Sequence, residues 1–191
     1  AELLKEHGAT RFVGYQELSA QATVSALIAD GERVSELQAG KTGEAVLDAT
    51  PFYAEMGGEV GDTGVIEAEG VKVQVVDTKA PEKGLVCHVV KVLEGTLSQG
   101  AAVTASVDAD RRARVTRNHT ATHILHAALR QVLGEHVSQA GSYVGPDRLR
   151  FDFTHFAAVT AEQLAQVERV ANEFIMSATP TNIYETSLDA A

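Results

Sequence analysis

The hydrophobic period of this chain changes once. Up to about Val107 the chain reads as short strand-like runs punctuated by glycine; beyond Asp108 apolar residues recur every three to four. A period of two places alternate side chains on one face of a strand, and a period of 3.6 makes the stripe of a helix. A β part must therefore precede a helix-containing part. The strand-like runs are 23–28, 43–48, 65–69, 71–76, 85–92 and 102–107, and Val71, Val73 and Val75 alternate with Lys72 and Gln74 as in a half-buried strand. Several strands at this spacing, with turn signals at Asp30-Gly31 and Glu69-Gly70, predict a small antiparallel β-barrel over residues 1–107.

Residues 108–191 are expected to form an α+β core. Asp108 or Asp110 is placed to cap a first helix, and Gly134 to end it. Tyr143-Val144 and residues 148–153 flank Gly145-Pro146-Asp147, a hairpin pattern. Thr160 and Gln163 make a capping box for a second helix, expected to bury Leu164, Val167, Ala171, Phe174 and Ile175 and to end before Pro180. The fold class is α+β. No internal repeat is present, and the two parts are expected to pack together.

Of 191 residues, 45% are hydrophobic and 22% charged, an ordinary globular balance. The net charge of −10 argues against a surface that binds nucleic acid everywhere, so any basic surface must be local. A single cysteine, Cys87, excludes an internal disulfide framework and fits a reducing compartment, with cytoplasm the expected location. No apolar run reaches membrane-spanning length, and Glu2, Lys5 and Glu6 do not make a signal peptide. The start at Ala1 and the end at Asp189-Ala190-Ala191 are expected of a segment excised from a longer chain, with trimming in the cell as the alternative.

On a helical wheel Ala121, Ile124, Leu125, Ala128, Leu129, Val132 and Leu133 form one stripe, and His119, His123, His126 and Arg130 fall on the opposite face. His119 and His123, at i and i+4, stack two imidazoles one turn apart and can offer two nitrogens to one zinc. With 7 histidines in the chain such a pair also arises by chance, and a solvated polar face is the plainer reading. Thr120 stands where an HExxH protease needs its glutamate, which removes that reading. Arg111, Arg112, Arg114 and Arg117 precede the histidines at a helix start, where cations oppose the macrodipole. Two roles remain open for them: steering a phosphate backbone, or pairing with surface acids.

Asp48-Ala49-Thr50-Pro51-Phe52-Tyr53-Ala54-Glu55-Met56-Gly57-Gly58-Glu59-Val60-Gly61-Asp62-Thr63-Gly64, together with Arg117-Asn118-His119-Thr120-Ala121-Thr122-His123, closely resembles the editing domain of alanyl-tRNA synthetases and the freestanding editing proteins related to them. The resemblance runs from Thr10-Arg11-Phe12-Val13-Gly14-Tyr15 to about Tyr184, through His136-Val137-Ser138-Gln139 and Leu149-Arg150-Phe151-Asp152-Phe153. It implies a β-barrel followed by a domain shared with threonyl-tRNA synthetases, with zinc held by an HxxxH pair and a later CxxxH pair. The first pair falls on His119 and His123; the second has no counterpart, and Cys87 sits in an apolar strand as a small core residue. Zinc is accordingly expected to be weak or absent in this chain.

The implied activity is hydrolysis of seryl or glycyl esters on tRNA(Ala), with the tRNA acceptor end and the rest of a synthetase chain as partners. Thr50 and Glu59 are the candidate catalytic residues, Thr50 by hydrogen-bonding the serine hydroxyl, since a steric sieve that admits serine also admits alanine. Glu59 stands where the family usually has glutamine, an acceptor-only carboxylate in place of an amide. Gly57, Gly58 and the four arginines are the candidate tRNA contacts. A freestanding editing enzyme, a threonyl-type editing domain and a tRNA-docking module without chemistry are the alternatives.

Overall fold

The computed structural model describes residues 2–180; Tyr184 and Asp189-Ala190-Ala191 lie outside them. In chain order the elements are α1 (Glu2–His7), β1 (Arg11–Phe12), β2 (Ser19–Ala29), β3 (Glu32–Val34), β4 (Glu36–Gln38), β5 (Thr42–Leu47), β6 (Ala49–Thr50), β7 (Gly64–Ala68), β8 (Val71–Glu82), β9 (Leu85–Glu94), β10 (Thr96–Ser98), β11 (Ala102–Val107), α2 (Ala109–Leu133), β12 (Gln139–Val144), β13 (Leu149–Phe153) and α3 (Ala161–Met176).

Six of these strands close into an antiparallel barrel in the order β11-β7-β8-β9-β5-β2, and β2 returns to pair with β11, Ala102 opposite Thr23. Closure removes the open edges that would otherwise invite pairing with another chain. The six predicted strands are these six, several of them longer than expected. Alternation decides what fills the barrel: Val73 and Val75, Val90 and Val92, Val103 and Ala105 all turn inward onto Phe52, Ile66 and Leu97. Burial of each such side chain contributes about 1.5–3 kcal/mol. A bulge between Val24 and Ala26 switches the face of β2, so Val24 and Leu27 join the interior while Ala26 joins a second cluster. In that second cluster Ala26, Val46, Leu85 and Cys87 pack against Leu3 and Leu4 of α1. Cys87 is thus a buried packing residue, and burial pushes its thiol up to about 11.

The described residues divide into two compact units at His119/Thr120, Gly141/Ser142 and Arg150/Phe151. The first holds the barrel and also residues 108–119 and 142–150, so it extends past the expected boundary at 107/108. Asp108 caps α2, its carboxylate accepting the Arg111 N–H at 2.9 Å. The 145–148 turn joins β12 to β13 as the expected hairpin, with the Gly145 N–H on the Arg148 carbonyl.

The second unit is built on Ala128, Leu129, Val137, Val167 and Val170, with Phe151 and Phe153 against them. The predicted capping box opens α3: Thr160 Oγ1 accepts the Gln163 N–H, and Gln163 Oε1 accepts the Thr160 N–H. Burial along α3 corrects the expectation. Val167 and Val170 are buried, whereas Leu164, Phe174 and Ile175 are about half exposed. Among the described residues the covered part of the stripe is Val167 and Val170, with the expected Ala171 packed against their cluster.

Candidate functional site

The 48–64 segment crosses the barrel unit as a strap held by buried polar groups. At its start β6 pairs with β1, Phe12 opposite Thr50. Thr50 is fully buried, and its Oγ1 lies 2.7 Å from Nε2 of His88, also fully buried. The Nδ1 of His88 faces the Ala45 carbonyl at 2.9 Å. A carbonyl only accepts, so Nδ1 carries the proton and Nε2 accepts from the Thr50 hydroxyl, which itself accepts the Phe52 N–H at 3.1 Å. Burial lowers the His88 pKa to about 4, against a smaller upward pull from the Ala45 carbonyl. The Thr50 hydroxyl thus bonds within the framework, to His88 and to the Phe52 N–H.

Midway along the strap, Met56 and Glu59 pair backbone to backbone around Gly57 and Gly58, at φ 61° and 89°. Two successive left-handed residues define a tight turn that side-chain-bearing residues resist. Gly58 has a second reason to be glycine: a Cβ there would fall 2.3 Å from the Ser142 carbonyl oxygen. The turn is tied to β12, with Ser142 Oγ donating to the Gly57 carbonyl at 3.0 Å and the Val144 N–H donating to the Gly58 carbonyl at 2.8 Å. The Val60 N–H answers on the Val144 carbonyl at 3.0 Å. Glu59 is thereby fixed on both sides.

The Glu59 carboxylate, 13% exposed, accepts a hydrogen bond from Nδ1 of His119, which is 48% exposed. The neighbouring Asn118 anchors this part of α2 by donating to the Gly145 carbonyl at 2.7 Å. Tyr53 stands close to the carboxylate; burial, then the charge of Glu59, raises its phenol pKa. One turn further along α2, His123 is exposed. His126 does not share a solvent face with it: the ring packs 5.0 Å from that of Phe151, and the expected third imidazole belongs to the core side of its unit.

The four arginines part company. Arg112 grips Asp62 through Nε, at 3.0 and 2.9 Å, and through a terminal nitrogen, and also donates to the Gly14 and Pro51 carbonyls, both at 2.9 Å. Asp62 in turn accepts the Tyr53 N–H at 2.7 Å. Arg111 donates to the Gly61 carbonyl at 2.9 Å. Both guanidiniums thus clamp the strap, and Arg112 takes the second of the two roles left open for it, pairing with an acid, here Asp62. Arg114 and Arg117 are exposed. Asp62 and His88 hold the polar framework of the strap and were not singled out from the sequence. Their only signal was polarity inside otherwise apolar or glycine-rich runs.

Among the described residues no group of three or more His, Cys, Asp or Glu side chains is arranged to hold a metal. His119 and His123 fit two positions of a zinc site by donor chemistry, one turn apart, with a carboxylate behind one of them. Completing such a site takes further donors, and buried Cys87 is not one of them. No helix among the described residues is long and apolar enough to cross a membrane.

A family model described as class II (A) tRNA synthetases matches residues 1–111, the barrel and the first residues of α2. The chain is similar to the alanine–tRNA ligases of Acetivibrio thermocellus, at 51% identity over 95% of its length, and of Desulforudis audaxviator, at 50% over 99%. That of Bradyrhizobium diazoefficiens is 51% identical over 91% of it. The chain spans about a fifth of the length of these relatives. With more than half of its residues matched by the family model and this similarity running nearly end to end, the chain belongs to the class II (A) tRNA synthetases.

Proposed function

We propose that this chain is the larger part of an editing domain of an alanine–tRNA ligase, hydrolysing seryl or glycyl esters from the 3′ end of tRNA(Ala). The observation that carries the proposal is the Glu59–His119 pair, brought together beside the glycine turn of the strap in a chain about half identical to alanine–tRNA ligases. In this reading Gly57 and Gly58 offer backbone that a nucleic-acid end can approach closely, and Arg114 and Arg117 hold phosphate. Arg111 and Arg112 act indirectly, by keeping the strap in place. Thr50 sets the strap's origin through His88. Discrimination of serine from alanine then falls to groups nearer Glu59, whose carboxylate can accept from a hydroxyl or an ammonium.

His119 and His123 supply two of the ligands for zinc, and zinc bound there would contribute Lewis-acid polarisation. Among the described residues no group of three donors forms; the CxxxH pair that the family resemblance implies would complete the site, and the 191-residue chain is expected to bind the metal weakly. A docking role without chemistry is the alternative reading. Deacylation assays separate the readings. A longer chain that includes the following CxxxH segment should release serine from seryl-tRNA(Ala) much faster than alanine from alanyl-tRNA(Ala). Binding of both tRNAs with no hydrolysis of either would leave docking as the function.

A further inference from the structure

We infer that Glu59 is the positioning residue of the metal site: it fixes which nitrogen of His119 carries the proton and so makes the other a metal donor. The inference rests on the zinc reading above and adds to it a residue with a physical task. An ionised carboxylate has no proton to give, so a hydrogen bond between Glu59 and Nδ1 requires that Nδ1 be the N–H. The lone pair then lies on Nε2. A free imidazole divides between its two tautomers, and a carboxylate behind the ring both selects one and raises the basicity of the donor nitrogen.

The construction around Glu59 suits this task. Its main chain is hydrogen-bonded to Met56 on one side, and its neighbours Gly58 and Val60 are bonded to Val144 on the other. The carboxylate is mostly covered while the imidazole is half exposed, so the acid is the fixed member of the pair. His119 is itself held by the Asn118 bond to Gly145 next to it. An amide oxygen can also accept from Nδ1–H, so glutamine at this position preserves the orientation while giving up the charge.

The test uses the 191-residue chain and Zn²⁺ alone, with side-chain ¹⁵N spectra of His119 recorded without metal at alkaline pH. The wild type should show the Nδ1–H form, and Glu59→Ala should shift His119 toward the Nε2–H form. In calorimetric titrations Glu59→Ala should weaken zinc binding about 10- to 100-fold, and Glu59→Gln should lose less. An Nε2–H tautomer in the wild type, or unchanged zinc affinity in Glu59→Ala, overturns the inference. If His119→Ala and His123→Ala bind zinc as well as wild type, the zinc reading fails and the inference falls with it; the tautomer spectra then still tell whether Glu59 orients the ring. Circular dichroism of each variant guards against loss of fold.

Discussion

The Arg112 guanidinium closes on the Asp62 carboxylate fifty residues away, with the arginine side chain 15% exposed and the aspartate 4%. The pair also carries the Gly14 and Pro51 carbonyls and the Tyr53 N–H, so it fastens the strap to the start of α2. Arg112→Ala strips a buried charge of its partner and should destabilise the barrel unit by about 3–5 kcal/mol. Urea unfolding measures this. A loss under about 1 kcal/mol would make Arg112 an ordinary surface cation.

Thr50→Val keeps the shape and removes the hydroxyl, leaving the Phe52 N–H and His88 Nε2 without their partner in a site closed to water. The expected cost is about 1–3 kcal/mol of stability. If Thr50 is framework, any loss of seryl-tRNA hydrolysis in the longer chain should be matched for alanyl-tRNA. A variant of wild-type stability with narrowed serine discrimination would return Thr50 to the substrate pocket.

His88 makes stability depend on pH. Its folded pKa, about 4, lies below the ordinary 6.5, so between these values the unfolded chain binds the extra proton. The contribution is complete above pH 6.5 and is lost as pH falls toward 4, a change on the order of 3 kcal/mol. Unfolding midpoints followed from neutral pH down toward the folded pKa should fall less steeply in His88→Gln than in wild type. Parallel slopes would count against a neutral buried imidazole.

The barrel was legible because its six strands are short apolar runs cut by turn residues, with explicit alternation at Val71, Val73 and Val75. Strands of two or three residues such as β1, β4 and β6 are too short to show a period and exist through their partners. The capping box of α3 was legible from Thr160 and Gln163 because its contacts are local. Arg112 and Arg114 look alike in a sequence, since nothing local marks Asp62 as a partner fifty residues away. For the same reason the sequence could nominate Glu59 and His119 separately but not join them. Leu164 and Ile175 show the converse: periodicity marks an apolar stripe, not how much of it a neighbour covers.

Arg114 and Arg117, exposed on α2, are the proposed phosphate contacts. Neutralising both to glutamine should lower tRNA affinity and reduce the slope of log affinity against log salt by about one unit for each phosphate that is no longer paired. Stability should change by no more than about 0.5 kcal/mol. An unchanged slope would remove them from the interface.

The decisive measurement is release of labelled serine from seryl-tRNA(Ala) by a longer chain carrying the CxxxH segment and by its His119→Ala variant. The reading of this chain as an editing domain predicts rapid release by the first and a loss of at least about 100-fold in the second, the scale of an essential metal or acid–base group, with the melting temperature of the barrel unit little changed. Equal rates from the two proteins would contradict it.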